Sequence, residues 1–216
     1  MATNIRDYRP RDKAGAYHVC LKTGYHGDDG EPFFRDDPDA LGRIFVGPYL
    51  EFQPDLALIL EDDEGICGYA LGAFDSRNFY DRYEREWRPA LCAQFPAPEG
   101  DSSGWTLLQW IHHLYHHPDL YCPEPYAAYP SHLHIDLMPR VQRKGFGQQM
   151  MDRLIGRIQA SGSPGVHLGL DESNQRAYRF YTKLNFVELS RRGDGEHASI
   201  YMGKRLNVDP NDASRR

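Results

Sequence analysis

The sequence predicts an α/β fold, a mixed and mainly antiparallel sheet flanked by helices, from three observations. Two strand-like runs, DLALIL at 55–60 and GICGYALGAF at 65–74, are joined by an acidic turn, which is a hairpin signal. A third run, HLHIDL at 132–137, leads through the turn QRKGFG at 142–147 into a segment whose Phe146, Met150, Met151, Leu154, Ile155 and Ile158 share one helical face. Beyond it, VHLGL at 166–170 is followed by a helical pattern and two more short strand-like runs.

Taken in order, residues 4–9 form a first strand, and Pro10 opens a helix that runs through Ala16, Val19, Cys20 and Leu21 to Gly24. The stretch 25–38, rich in Gly, Asp, Glu and aromatic residues, reads as a loop, and 39–52 as one shorter helix before the hairpin. Residues 75–131 carry helical patterns at 78–95 and 105–118 with too many aromatics to stay solvated, so they read as an insertion or lid. A break at 161–165 precedes the 166–170 strand. The helix at 174–184 places Ala177, Phe180, Tyr181 and Leu184 on one side, strands at 186–189 and 199–202 finish the sheet, and 207–216 reads as a disordered tail. The expectation is a single domain over 1–206 with a helical insertion at 75–131.

A net charge of -6 argues against nucleic acid as a partner, because phosphate binding calls for a basic face. No apolar run approaches the ~20 residues of a membrane span, and the mixed-charge start MATNIRDYRPRDK is not a signal peptide. The four cysteines have no C-x-x-C spacing, so neither a zinc site nor a disulfide framework is indicated, and a reducing cytoplasm is the expected location.

Strand, glycine-containing turn and helix together make an anion cradle. Such a turn aims several backbone N–H groups at one spot, the helix dipole adds partial positive charge, and glycines allow close approach. Arg143 and Lys144 add full charges; the plainer alternative is a helix entry with two glycines.

Over 133–186 the order strand, Q-x-x-G-x-G, helix, strand and N-x-x-A-x-x-F-Y-x-K-L-x-F resembles the GNAT superfamily of acyl-CoA-dependent N-acetyltransferases. More narrowly, EDDEGICGYALGAFD at 61–75, GPYLEF and YPSHLHIDL resemble the C-terminal acetyltransferase-like domain of O-GlcNAcase and its stand-alone bacterial relatives, over almost the whole chain. Asn185 stands where that pattern has glycine. QRKGFG is intact here, whereas the eukaryotic domain has lost the glycine-rich turn.

The resemblance implies a GNAT-like sheet opened between the Leu133 and Val166 strands, with acetyl-CoA as cosubstrate and an amine acceptor, a small molecule or a lysine side chain. A homodimer is compatible with it. It implies cofactor contacts at Gln142, Arg143, Lys144, Gly145, Phe146, Gly147 and Gln148, at the main chain of Leu137, Met138 and Pro139, and at Asn174 and Tyr181. It sets Tyr181 beside the sulfur, where a phenol can protonate the leaving thiolate. Phe180 and Tyr181 can equally be core aromatics, and Asn174 a helix N-cap. The rival function is a non-catalytic module that binds acetyl-CoA or a protein partner on the same fold.

An amine acceptor is protonated at neutral pH, so a base is required. Period-two alternation puts His132, His134 and Asp136 on one face of their strand, with Leu133, Ile135 and Leu137 on the other. Asp136 is either the base, or a group orienting it, or a paired structural carboxylate. The two histidines sit one residue out of the register that would aim them at the reaction, unless a β-bulge intervenes. His112, His113, His116 and His117 have i, i+4 spacing but no accompanying carboxylate motif, so an aromatic-rich helix is expected there and no metal. Asp171 and Glu172 read as acceptor-binding carboxylates or as the start of a helix. The loop 25–38 and the insertion are the candidate walls of an acceptor pocket.

Overall fold

The structure, a computed structural model, describes residues 3–193 and 198–206. The expected tail at 207–216 lies outside the described residues. Seven strands form one sheet: β1 (Asn4–Asp7), β2 (Ala57–Asp62), β3 (Gly65–Ala73), β4 (Ser131–Leu137), β5 (Gly165–Asp171), β6 (Val187–Arg192) and β7 (Ser199–Arg205). Their order is β1-β2-β3-β4-β5-β7-β6, and every pairing is antiparallel except β4 with β5.

The helices are α1 (Lys13–Thr23), α2 (Ala40–Phe45), α3 (Gly47–Phe52), α4 (Ser76–Arg82), α5 (Arg88–Gln94), α6 (Leu107–His116), α7 (Phe146–Ala160) and α8 (Gln175–Lys183). On α7, Met150, Met151, Leu154, Ile155 and Ile158 are all buried, the face the apolar spacing predicts. Burial of each such side chain contributes about 1.5–3 kcal/mol. The sheet buries both of its faces: Leu58, Leu60 and Ala70 lie on the side of α7 and Ile59 and Leu71 on the other, and none of the five is exposed to solvent.

The single helix expected over 39–52 is two helices. Pro48 lies in the first turn of α3, and Val46 leaves helical geometry at φ -124°. A proline there has no N–H to give and its ring opposes the carbonyl four residues back, so the chain restarts. The helical pattern at 78–95 is likewise interrupted, by a π-turn at Tyr83–Trp87 just before Pro89. Asn185 adopts a left-handed φ of 63°, doing what the glycine of the pattern would do, and asparagine is among the few residues that tolerate it. All four cysteines are free, and no helix among the described residues is long and apolar enough to cross a membrane.

Candidate functional site

The parallel ladder between β4 and β5 consists of Ser131↔Val166 and His132↔His167, at the N-terminal ends of both strands. Beyond those pairs the strands diverge, and the sheet is split along β4. Met138 N–H turns the other way, to Cys67 O at 2.8 Å. Main-chain groups alternate sides along a strand, so those of Ile135 and Leu137 face the split. Of the three residues whose main chain is expected to contact the cofactor, Met138 N–H is committed to β3 and Pro139 has no N–H, which leaves Leu137 as the backbone donor. The Leu137 carbonyl accepts from Gln142 Nε2 at 2.7 Å.

Below the split lies the turn at 142–147. Arg143 (φ 59°) and Gly145 (φ 84°) are both left-handed, so the backbone curls around Lys144 and its amides converge. No side chain caps α7, and the first backbone bond is from Gln149 N–H to Gly145 O at 3.1 Å. The amides of Phe146, Gly147 and Gln148 thus precede the ladder, where the helix dipole is positive. Arg143, Lys144 and Gln148 are exposed, and neither cation has an ion-pair partner among the described residues. Gly147 is required by packing: a Cβ there would lie 3.2 Å from Leu137 Cδ1 and 3.3 Å from Phe180 Cζ. These features fit a phosphate-bearing ligand.

The turn is tethered on its upstream side. Arg140 grips Asp62 through Nε at 2.8 Å and Nη2 at 3.1 Å, and this charge-assisted pair pulls the Asp62 carboxyl down to about 2. An unfolded aspartate titrates near ~3.9. The pair therefore stabilises the fold fully above that value, and its contribution is lost as pH falls from there toward about 2. Thermal melts of wild type and Asp62→Asn are expected to differ at neutral pH and to converge in strong acid. A constant difference across that range would remove the pair from the account.

On one face of β4, in an uninterrupted register with β3, Asp136 stands opposite Tyr69 and His134 opposite Leu71. No bulge shifts the histidines, so they stay out of the register expected to aim them directly; His134 is brought to the site by its place beside Asp136, 3.3 Å from Oδ2, on the face whose charge is felt at Tyr181. Tyr69 is fully buried, and its hydroxyl lies 2.5 Å from Asp136 Oδ2 and 2.9 Å from His134 Nε2. His134 and Asp136 are each partly open to solvent, at 32% and 25% of the side chain. Asp136 is thus paired and reachable. Tyr69 is the residue that the sequence did not single out; a tyrosine buried in a strand of small residues needs a partner for its hydroxyl, and that was the available signal. His132 is buried, with Nδ1 2.7 Å from Ser76 Oγ and Nε2 without a partner.

Tyr181 projects from α8 between Phe180 and Phe186, with ring centroids 5.2 and 5.7 Å away. The ring is buried, while no protein group among the described residues bonds the hydroxyl. Burial, then the Asp136 charge, holds its pKa above the ordinary phenol value. Asn174 is the N-cap of α8, its Oδ1 accepting from Ala177 N–H at 3.0 Å. Asp171 bonds Ser173 N–H at 2.8 Å at the entry to α8 and lies 3.3 Å from His26. Across the split, Arg176 donates to Gln142 Oε1 at 2.9 Å and to Gly27 O at 3.4 Å, so the loop 25–38 reaches its rim.

The insertion is placed elsewhere for most of its length. Tyr115 donates to Ala40 O at 2.7 Å and Trp87 to Arg43 O at 2.8 Å, which docks α6 and the π-turn on α2. Helices α1 to α5 and the π-turn border a recess of about 500 Å³ lined by Lys13, Tyr17, Phe52, Arg82 and Trp87 among others. Tyr80, which stacks 5.1 Å from His132, brings the insertion toward β4. The four histidines of α6 and its C-cap do not converge on one point: His116 Nε2 meets Phe95 O at 2.8 Å, His112 lies 3.6 Å from Asp37, and the His113 ring lies tilted against His117.

Residues 25–186 match the family model described as Acetyltransferase (GNAT) family. The chain is 30% identical to protein O-GlcNAcase of Mus musculus over 204 residues, 94% of this chain and 22% of that protein. The rat protein gives the same identity over 203 residues, so the chain spans 22% of the length of these curated relatives. The crystal structure of SsHAT superposes with a TM-score of 0.84 at 32% identity, covering 95% of this chain and 98% of that one. The structure of yncA from Salmonella typhimurium with its cofactor acetyl-CoA covers 97% of both chains at a TM-score of 0.54 and 14% identity, a likeness of fold alone.

Proposed function

Because this chain belongs to the GNAT acetyltransferase family, we propose that it is an acetyl-CoA-dependent N-acetyltransferase that acetylates an amine by direct attack within a ternary complex. The observation that carries this reading is the joining, at one split in the sheet, of an unpaired cationic backbone cradle with an Asp136–Tyr69–His134 network.

Acetyl-CoA supplies the acetyl group as a reactive thioester. The amides of residues 143–148, with Arg143 and Lys144, are the groups to hold its phosphates. Gln142, the Leu137 main chain, Asn174 and Tyr181 border the split where its pantetheine arm belongs. A single well-placed backbone donor such as Leu137 N–H is worth ~10²–10³ in rate when it meets a developing oxyanion.

Asp136 belongs to the base system, either as base or as the group that orients it, and Tyr181 gives a hydrogen bond to the departing sulfur. Without such help, an alkyl amine that titrates near ~10.4 pays about 4–5 kcal/mol to be neutral at pH 7. A lysine side chain and a small amine are both candidate acceptors, because the exposed Phe45 lies beside His134 at 6.3 Å and offers an aromatic face to an alkylammonium group. The four free cysteines suit a reducing cytoplasm, where we place the protein.

Calorimetric titration with acetyl-CoA tests this reading before any acceptor is known. One site per chain is the expected result, followed by CoA release in the presence of primary amines. A folded protein that takes up no acetyl-CoA would move the assignment to a protein-interaction module.

A further inference from the structure

We propose that Tyr69 is a positioning residue that makes His134 Nδ1 the proton acceptor of the reaction, with Asp136 acting through Tyr69 and not as the base itself. This deepens the acetyl-transfer reading above and rests on it. The argument starts from one proton. A phenol has a single hydrogen, and Tyr69, whose hydroxyl also meets the Cys20 thiol, itself able to donate, lies within bonding distance of two stronger acceptors: Asp136 Oδ2 at 2.5 Å and His134 Nε2 at 2.9 Å. An ionised carboxylate can only accept, so the shorter contact claims the hydrogen. The Tyr69 oxygen then faces Nε2 with a lone pair, and Nε2 must carry a hydrogen. Asp136 Oδ2, 3.3 Å from the same Nε2, demands the same assignment. In a neutral imidazole the other nitrogen is then bare, and Nδ1 of His134 has no protein partner among the described residues.

His132 shows the opposite arrangement. Ser76 spends its hydroxyl hydrogen on Pro130 O at 2.7 Å, so His132 Nδ1 must donate to Ser76 Oγ, which leaves Nε2 as the bare nitrogen. That nitrogen is sealed in the core, and burial lowers the ring's affinity for a proton. Two histidines two residues apart thus hold opposite tautomers, and only His134 presents its lone pair from a ring that reaches solvent. Tyr69 suits a fixed donor, since burial and then Asp136 push its own pKa well above the ordinary value.

In the reaction the amine lone pair attacks the thioester carbon, the N–C bond forms and the C–S bond breaks. The proton shed by nitrogen passes to His134 Nδ1, and the imidazolium is balanced by Asp136 through Tyr69. Tyr181 donates a hydrogen bond to the leaving thiolate, which takes the proton from His134 through water, so amine and thioester become amide and thiol with no net change in the protein. Imidazoles titrate nearer neutral pH than carboxylates, which suits them to this task.

Nitrogen-15 NMR of the histidine side chains in the full chain decides the tautomer without any acceptor. The expected spectrum for His134, assigned by its loss in His134→Gln, has a protonated Nε2 and a bare Nδ1, and Tyr69→Phe mixes the two tautomers. A protonated Nδ1 in the wild type would overturn the proposal. With N-α-acetyl-lysine amide as the amine, His134→Ala is expected to lose ~10²-fold or more in turnover and to regain part of it with added imidazole. Tyr69→Phe should lower kcat about tenfold while KM for acetyl-CoA holds. Full activity in either variant would also sink the idea. Wild-type protein that binds acetyl-CoA yet acetylates no amine would count against the function proposed above, and the NMR result would still judge Tyr69 and His134.

Discussion

Gly145→Asp is expected to weaken acetyl-CoA binding by ~10- to 1,000-fold while the protein stays folded. Two effects add. Gly145 sits at φ 84°, a conformation that costs an L-residue roughly 1–2 kcal/mol, so in the variant the free turn relaxes out of the cradle shape and that cost is met on binding. The new carboxylate also faces the site that the amides of 143–148, Arg143 and Lys144 make attractive to phosphate. Two like charges a few ångströms apart near a protein surface repel by ~1–4 kcal/mol. Steric damage to the core is not part of the prediction, because a Cβ at this position meets nothing closer than Gln149 Nε2 at 3.7 Å. Gly145→Ala separates the terms, since it keeps the strain and omits the charge, and should bind with an intermediate affinity. Calorimetric titration of the three proteins, with melting temperatures alongside, reads both quantities. Normal affinity in the aspartate variant would mean that the phosphates lie elsewhere.

Those expectations rest on a turn that could be read from sequence because several local signals agree there. An alternating run, two glycines and a helical apolar stripe each constrain the backbone within a few residues. The same is true of α8, where Asn174 begins the helix and Ala177, Phe180 and Tyr181 follow at helical spacing. Elsewhere the local signal is a single proline. Pro48 was enough to divide 39–52 into two helices, and Pro89 marks the end of the π-turn. The resemblance to a family supplied the opening of the sheet between the Leu133 and Val166 strands, which no local pattern contains.

The chemistry of the site was less legible, for a physical reason. Asp136 and Tyr181 are visible as candidates because one is a charge in a strand and the other a polar atom on an apolar face. Tyr69 acquires its role only from the β3–β4 register, which sets it opposite Asp136, residues 67 positions apart in the chain. The link from Gly27 through Arg176 and Gln142 to Leu137 likewise joins four separate segments. Register and side-chain reach across a sheet are tertiary quantities. Sequence spacing could place His134 on the face of Asp136, but not show that a tyrosine orients both.

Tyr181→Phe should slow acetyl transfer by ~10- to 100-fold, at the low end of what proton donors contribute, with acetyl-CoA affinity nearly unchanged. The size follows from the environment of the hydroxyl. Burial and the Asp136 charge both favour the neutral phenol, so its pKa is raised, whereas an ordinary thiol titrates near ~8.5. Complete proton transfer from such a phenol to a thiolate is uphill, and the main benefit is the hydrogen bond that stabilises charge as sulfur leaves. The sign of the pH effect follows. A donor whose pKa is raised keeps its proton through the ordinary phenol range near ~10, so wild-type rates should show no alkaline loss attributable to Tyr181 below that value. The phenylalanine ring preserves packing against Phe180 and Phe186, and no protein hydrogen bond among the described residues is lost. Stability should therefore change little, which isolates the chemical contribution. Steady-state rates of CoA release, together with the dissociation constant for acetyl-CoA, measure it, and equal turnover in the variant would reduce Tyr181 to a core aromatic.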